Sequence, residues 1–150
     1  MFTIFIACIA MALLSSCSTV VKSSKPKEVE VVEIKMESVR SAIVINSQEY
    51  ALLNRVLSRI RSEHYERAIV ELERILTEPH SGKGLKCIVS GLLAIVYLEI
   101  GDRKAFLAQG KETVERCRTF KRLPTGIRIV AQLYSNWSGE PIPTQMQADF

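Results

Sequence analysis

From residue 46 to residue 138 the apolar positions recur every three or four residues, the spacing of one face of an α-helix. Asn46 and Glu49, three apart, form a capping-box pattern, and Leu52, Leu53, Val56, Leu57 and Ile60 give the first apolar stripe. Ser62, Glu63 and His64 interrupt it. Tyr65, Ala68, Ile69, Leu72, Ile75 and Leu76 supply a second stripe that ends before Pro79, and residues 79–84, rich in Pro, Ser and Gly, read as a turn. A third helix over 85–100 is apolar nearly all round, through Ile88, Val89, Leu92, Leu93, Ile95, Val96 and Leu98, which predicts the most buried element. Beyond Gly101-Asp102, a fourth over 103–117 keeps Phe106, Leu107, Gly110, Val114 and Cys117 on one stripe. After a polar break around residues 121–125, Ile127, Ile129, Val130, Leu133, Tyr134 and Trp137 mark a last helix, opened by Pro124 and closed by Gly139. Residues 140–150 carry two prolines and little periodicity, and are expected to be irregular.

The pattern before residue 46 is different. Residues 2–14 are almost continuously apolar and uncharged, yet shorter than the roughly 20 residues a bilayer-spanning helix needs, so they fit a signal-peptide core. Residues 18–33 begin with Ser23, Ser24, Lys25, Pro26 and Lys27, which bury little surface and read as a tether. Val29, Val31, Val32, Ile34 and Met36 make a short strand at period two. Val32, Met36, Val39 and Ile43 follow helical spacing instead, and a short helix over the second half of this run is the favoured reading.

The junction Leu14-Ser15-Ser16-Cys17 resembles the bacterial lipobox, an aliphatic residue and two small ones before the cysteine that receives the lipid. The resemblance implies cleavage after residue 16 and acylation of Cys17, and Ser18 in place of Asp implies transfer to the outer membrane. An uncleaved anchor and an ordinary secretory peptide are the alternatives, and no Lys or Arg precedes the apolar run. The layout that follows is a lipoprotein signal peptide over 1–16, a lipidated N-terminus and tether over 17–35, a helical domain over 36–138 and a tail over 139–150.

Two helix-turn-helix units, with turns near His64 and Gly101, repeat at about 37 residues. Ala94, Tyr97, Gly101 and Asp102 in the second unit, and Tyr65, Ala68, Leu72 and Pro79 in the first, resemble the tetratricopeptide repeat over residues 49–118. Glu63-His64, Val56, Ala105 and Gly110 depart from that pattern. The resemblance implies an all-α fold of antiparallel hairpins stacked as a short array, with the 127–137 helix as its C-terminal cap. It also implies a shallow concave surface for a peptide or a partner helix. A generic antiparallel helical bundle is the alternative.

Composition and candidate chemistry narrow the function classes. A chain of 150 residues, 47% apolar and 24% charged, suits one folded domain. If Cys8 leaves with the signal peptide and Cys17 is acylated, Cys87 and Cys117 remain. They stand thirteen residues before Ile100 and fourteen after Arg103, so an antiparallel hairpin sets them side by side near its open end. They are either a disulfide or two small buried thiols. With no CxxC, and with His64 and His80 away from ligand spacing, no metal and no cofactor are expected. There is no GxSxG, HExxH or P-loop, so no enzyme is expected either. Lys111, Arg116, Arg118, Lys121, Arg122 and Arg128 cluster late in a chain of net charge +4. They could meet anionic lipid head groups or an acidic partner, or simply form a solvated face. An exported chain without aromatics interleaved in that patch is not expected to bind nucleic acid.

The leading expectation is therefore a lipid-anchored scaffold or adaptor on the periplasmic face of the outer membrane. It would hold an envelope protein during assembly of a secretin, pilus or secretion system, as small repeat lipoproteins do. The alternative is a structural or cell-surface lipoprotein that binds peptidoglycan, lipid or a host ligand. Exposed apolar residues on the first helix of each hairpin would favour the former.

Overall fold

The computed structural model describes residues 43–148. The signal segment, Cys17, the tether and the short helix expected around Met36 and Val39 lie outside the described residues. Five helices follow in order: α1 (Ser47–Arg61), α2 (Tyr65–Thr77), α3 (Lys83–Glu99), α4 (Arg103–Cys117) and α5 (Thr125–Ser138), then a 3-10 turn, η1 (Thr144–Met146). Among the described residues there is no strand, and no helix is long and apolar enough to cross a membrane.

Several of these starts and stops have a local cause. The Asn46 carboxamide accepts the Glu49 N–H at 2.9 Å, and the Glu49 carboxylate accepts the Asn46 N–H at 2.9 Å, which opens α1 with a complete capping box. Asp102 accepts the Ala105 N–H at 2.9 Å and opens α4. Pro124 precedes α5, and Gly139, left-handed at φ 76°, ends it.

The two turns repeat in the backbone at 38 residues, close to the offset read from the sequence. In the first turn Glu63 N–H donates to the Ile60 carbonyl at 3.0 Å and His64 N–H to Arg59 at 2.9 Å. In the second, Gly101 donates to Leu98 at 3.1 Å and Asp102 to Tyr97 at 2.9 Å. Both turns place a left-handed residue at the same point, Glu63 at φ 59° and Gly101 at φ 77°. Glycine takes that conformation without a Cβ penalty, whereas Glu63 bears a cost of order 1 kcal/mol.

Consecutive helices pack against each other, and the odd-numbered ones also touch the next odd one, α1 on α3 and α3 on α5. This places α3 in the middle. Its side chains from Cys87 to Val96 are buried without interruption, because α1, α2, α4 and α5 all lie against it. The core runs from Leu53, Val56, Ala68, Leu72 and Ile75 through α3 to Phe106, Ile127 and Val130.

In the 38-residue register Ala68 and Leu72 of α2 correspond to Phe106 and Gly110 of α4, so small and large exchange places. The reason lies in α5. A Cβ on Gly110 would stand 3.0 Å from Tyr134 Cβ, and one on Gly91 of α3 would stand 2.1 Å from Ile127 Cδ1. Gly110, which departs from the repeat pattern, and Gly91 are the points where α5 reaches α4 and α3.

Two boundaries differ from those expected. Helix α3 begins at Lys83, not after Gly84; Gly84 is helical, and a Cβ there would meet Ile43 Cγ2 at 2.5 Å and the Val44 carbonyl oxygen at 3.0 Å. The segment before α1 thus lies across the start of α3. The tail is more ordered than its prolines suggest. Met146 in η1 is fully buried, and Gln145 Nε2 donates to the Arg118 carbonyl at 2.9 Å, so the folded unit extends past residue 138.

Candidate functional site

Helices α1, α3 and α5 begin, and α2 and α4 end, at one end of the stack. Cys87, in the second turn of α3, and Cys117, the last residue of α4, form a disulfide there. Their sulfurs are 2.16 Å apart and their Cα atoms 5.0 Å, and both side chains are fully buried. Ser90, also buried, donates its hydroxyl to the Cys87 carbonyl at 2.8 Å.

The six cations grouped from the sequence separate into two sets. Lys111 pairs with Glu140 at 3.3 Å and Arg116 with Glu112 at 3.2 Å, so these two are locally neutralised along α4. Arg118, Lys121 and Arg122 stand exposed in the corner between α4 and α5, with no ion-pair partner among the described residues. Arg128 in the first turn of α5 reaches the Gln147 carbonyl at 3.5 Å, while its Nε is buried without a partner among the described residues.

Lys83 and Lys86 join this corner, since they flank the start of α3 beside the disulfide. They are more than thirty residues from Arg118 in sequence, so grouping by proximity along the chain misses them. A signal was nonetheless present. Carboxylates are favoured in the first turn of a helix, where the dipole is positive. Helices α3 and α5 have no acidic residue in the first turn and no side-chain cap, and carry Lys83, Lys86 and Arg128 there instead. Of the carboxylates at this end, Glu49 is committed to backbone, accepting the N–H groups of Asn46 and of Gly82, the latter at 3.2 Å, while Glu78 after α2 and Glu115 in the last turn of α4 stand exposed.

Glu140 fastens the tail to α4 and α5. It accepts from the Tyr134 hydroxyl and from Lys111, and these two bonds, Tyr134 first, hold its carboxyl below the ordinary glutamate value. The same bond with Glu140 raises Lys111; burial, and then Glu140, raises Tyr134. A depressed carboxyl gives a contribution that is complete above its unfolded pKa and is lost as pH falls through the folded one. The Glu140 carboxyl should therefore titrate below an ordinary glutamate by NMR, and Tyr134→Phe should raise its midpoint. An unmoved midpoint in Tyr134→Phe would remove the hydroxyl as the cause.

The expected apolar lining on the first helices is not where the exposed apolar groups lie. Those of large size are Val44 at 97%, Val70 at 68%, Ile100 at 46% and Trp137 at 37% exposure. Helix α3 offers no such lining, because neighbours on every side have covered it. A shallow track follows α2 instead. One depression is lined by Arg59, Glu66, Arg67, Val70, Glu71 and Arg74, and a second shares Glu66 and Arg67 and continues past His64 and Ile69 to Ile100. Its floor is fixed by Glu71, 7% exposed, which accepts from Arg55 Nε at 2.9 Å and from Arg59, clasping α1 to α2. At the other end of the stack Arg103 lies 4.8 Å over the Trp137 ring, which meets Phe106 edge to face at 5.1 Å.

Among the described residues no three His, Cys, Asp or Glu side chains come together to hold a metal. Compared with known proteins, the chain matches no family model, no curated protein and no solved structure. Its class is set by the fold alone: an all-α protein of stacked helical hairpins closed by a fifth helix and an ordered tail.

Proposed function

We propose that this chain is an envelope lipoprotein, exported by residues 1–16 and anchored through Cys17 to the periplasmic face of the outer membrane. There its helical stack works as a protein-binding scaffold in the assembly of envelope machinery. The lipobox resemblance supports the anchor. The α2 track supports the binding role, because it sets exposed Val70 and Ile100 among Arg67 and Arg74, an apolar centre with a charged rim. The rim also carries Glu63 and Glu66, so its complement is an amphipathic segment of mixed charge, such as a helix that lays one apolar stripe along α2. The reading involves no catalysis and no cofactor.

Crosslinking in the native membrane, followed by identification of what is joined to α2, tests this. An envelope-complex component should be recovered, and Val70→Asp should reduce its yield about tenfold or more, the loss typical of a central anchor. Recovery of no such component would sink the adaptor role. Replacing Cys17 by Ser should abolish labelling by palmitate. The second reading, a lipoprotein whose domain contacts lipid, is favoured by the basic corner.

A further inference from the structure

We infer that the disulfide-clasped end of the stack is a membrane-facing surface. It rests on anionic phospholipid head groups through Lys83, Lys86, Arg118, Lys121, Arg122 and Arg128. The inference deepens the anchor reading and draws on it only for proximity to a bilayer.

Three observations carry it. The first is charge: six cations come to this end from α3, the α4–α5 corner and α5, against the exposed carboxylates Glu78 and Glu115, while Glu49 is engaged by two backbone N–H groups. The second is a broken local rule. Two helices start at this end with basic first turns and neither an acidic residue nor a side-chain cap, so side-chain charge adds to the positive ends of the helix dipoles instead of offsetting them. Such uncompensated choices concentrate at functional surfaces. The third is the path of the chain. Ile43 and Val44 lie against Gly84, so the polypeptide arriving from Cys17 joins the fold beside Lys83 and Lys86.

An anchor at Cys17, 26 residues before Ile43, would hold this end near the bilayer at a high effective concentration. Each cation close to an anionic membrane then favours contact by about fivefold at physiological salt. Lipid head groups suit the site better than an acidic protein does. The cations come from separate segments of the chain, with Lys83, Arg118, Lys121 and Arg122 exposed and Lys86 and Arg128 half-buried, and a field of mobile anions meets such a spread without a fitted shape. Seated this way, the stack projects the α1–α2 turn and Ile100 away from the membrane, which leaves the far end of the α2 track open.

Lysine footprinting on the full-length lipidated protein tests the orientation. The protein is placed on vesicles of phosphatidylcholine alone, or of phosphatidylcholine with phosphatidylglycerol, acetylated briefly and read by mass spectrometry. Lys83, Lys86 and Lys121 should react about fivefold or more slowly on the anionic vesicles, while Lys104 at the far end should not change. Added salt, or the double variant Arg118→Glu/Arg122→Glu, should remove the protection. Equal reactivity on both vesicles overturns the inference, as does protection that includes Lys104 to the same degree. Polyglutamate in solution protecting the same lysines better than the anionic vesicles do also overturns it, in favour of an acidic protein. Flotation with phosphatidylcholine alone reports the anchor separately. If the protein fails to float there, the anchor reading falls, and footprints on the anionic vesicles still decide the surface.

Discussion

Phe106→Ala should lower the stability of the folded chain by about 3 to 5 kcal/mol, the range for removing a fully enclosed aromatic ring. Phe106 has no solvent exposure and meets the Trp137 ring edge to face. The corresponding place in the first hairpin holds Ala68, and the larger Leu72, also fully buried, stands one turn later. In the second hairpin that later position is Gly110, which cannot compensate, because any Cβ there presses on Tyr134. The double variant Phe106→Ala/Gly110→Leu, which copies the first hairpin's arrangement, should accordingly be no more stable than Phe106→Ala. Chemical denaturation with the disulfide intact measures both. A loss under about 1 kcal/mol in the single variant, or recovery in the double one, would show that α4 and α5 are not packed as described.

Opening the Cys87–Cys117 link by the double substitution to Ala should cost about 3 to 4 kcal/mol. The two residues are 30 apart, and a crosslink of that span removes about this much chain entropy from the unfolded state. The side chains are fully buried against the start of α3 and the end of α4, so two alanines also leave a small void. For a domain of this size the sum is a large share of total stability. Denaturation midpoints with and without reductant should differ in the wild type and coincide in the variant. Alkylation of both thiols in non-reduced, non-denatured protein would instead mean two free cysteines. With the clasp gone, the end that carries Lys83, Lys86 and Arg118 should be the first part of the stack to exchange its amide protons.

Much of the helical architecture was legible in the sequence, because apolar spacing is a direct image of which face meets the core. The capping box at Asn46, the Asp102 turn and the Gly139 stop need only residues a few positions apart. What was hidden depends on pairs distant in sequence. Gly84 reads as turn chemistry until Ile43 is laid across it, and Met146 reads as tail until its neighbours appear. Gly110 departs from the repeat in a way only Tyr134 explains. The candidate site was legible in part. Arg118, Lys121, Arg122 and Arg128 are close along the chain, but Lys111 and Arg116 belong elsewhere, because carboxylates a helical turn away, or brought back by the tail, claim them. An apolar groove on the first helices was the least legible expectation. Periodicity shows that α3 is buried and cannot show by what, and here the cover is the rest of the fold.

The packing of each helix on its immediate successor has a consequence for how the chain reaches this state. Most of its contacts close short loops, so little entropy is spent before each is made, and such topologies reach the native state quickly. The crosslink lies within one hairpin, so its two sulfurs meet as soon as α3 turns back into α4, without waiting for α1 or α5. The chain can therefore assemble one hairpin at a time. The last helix would then close on glycines that earlier steps had already set in place.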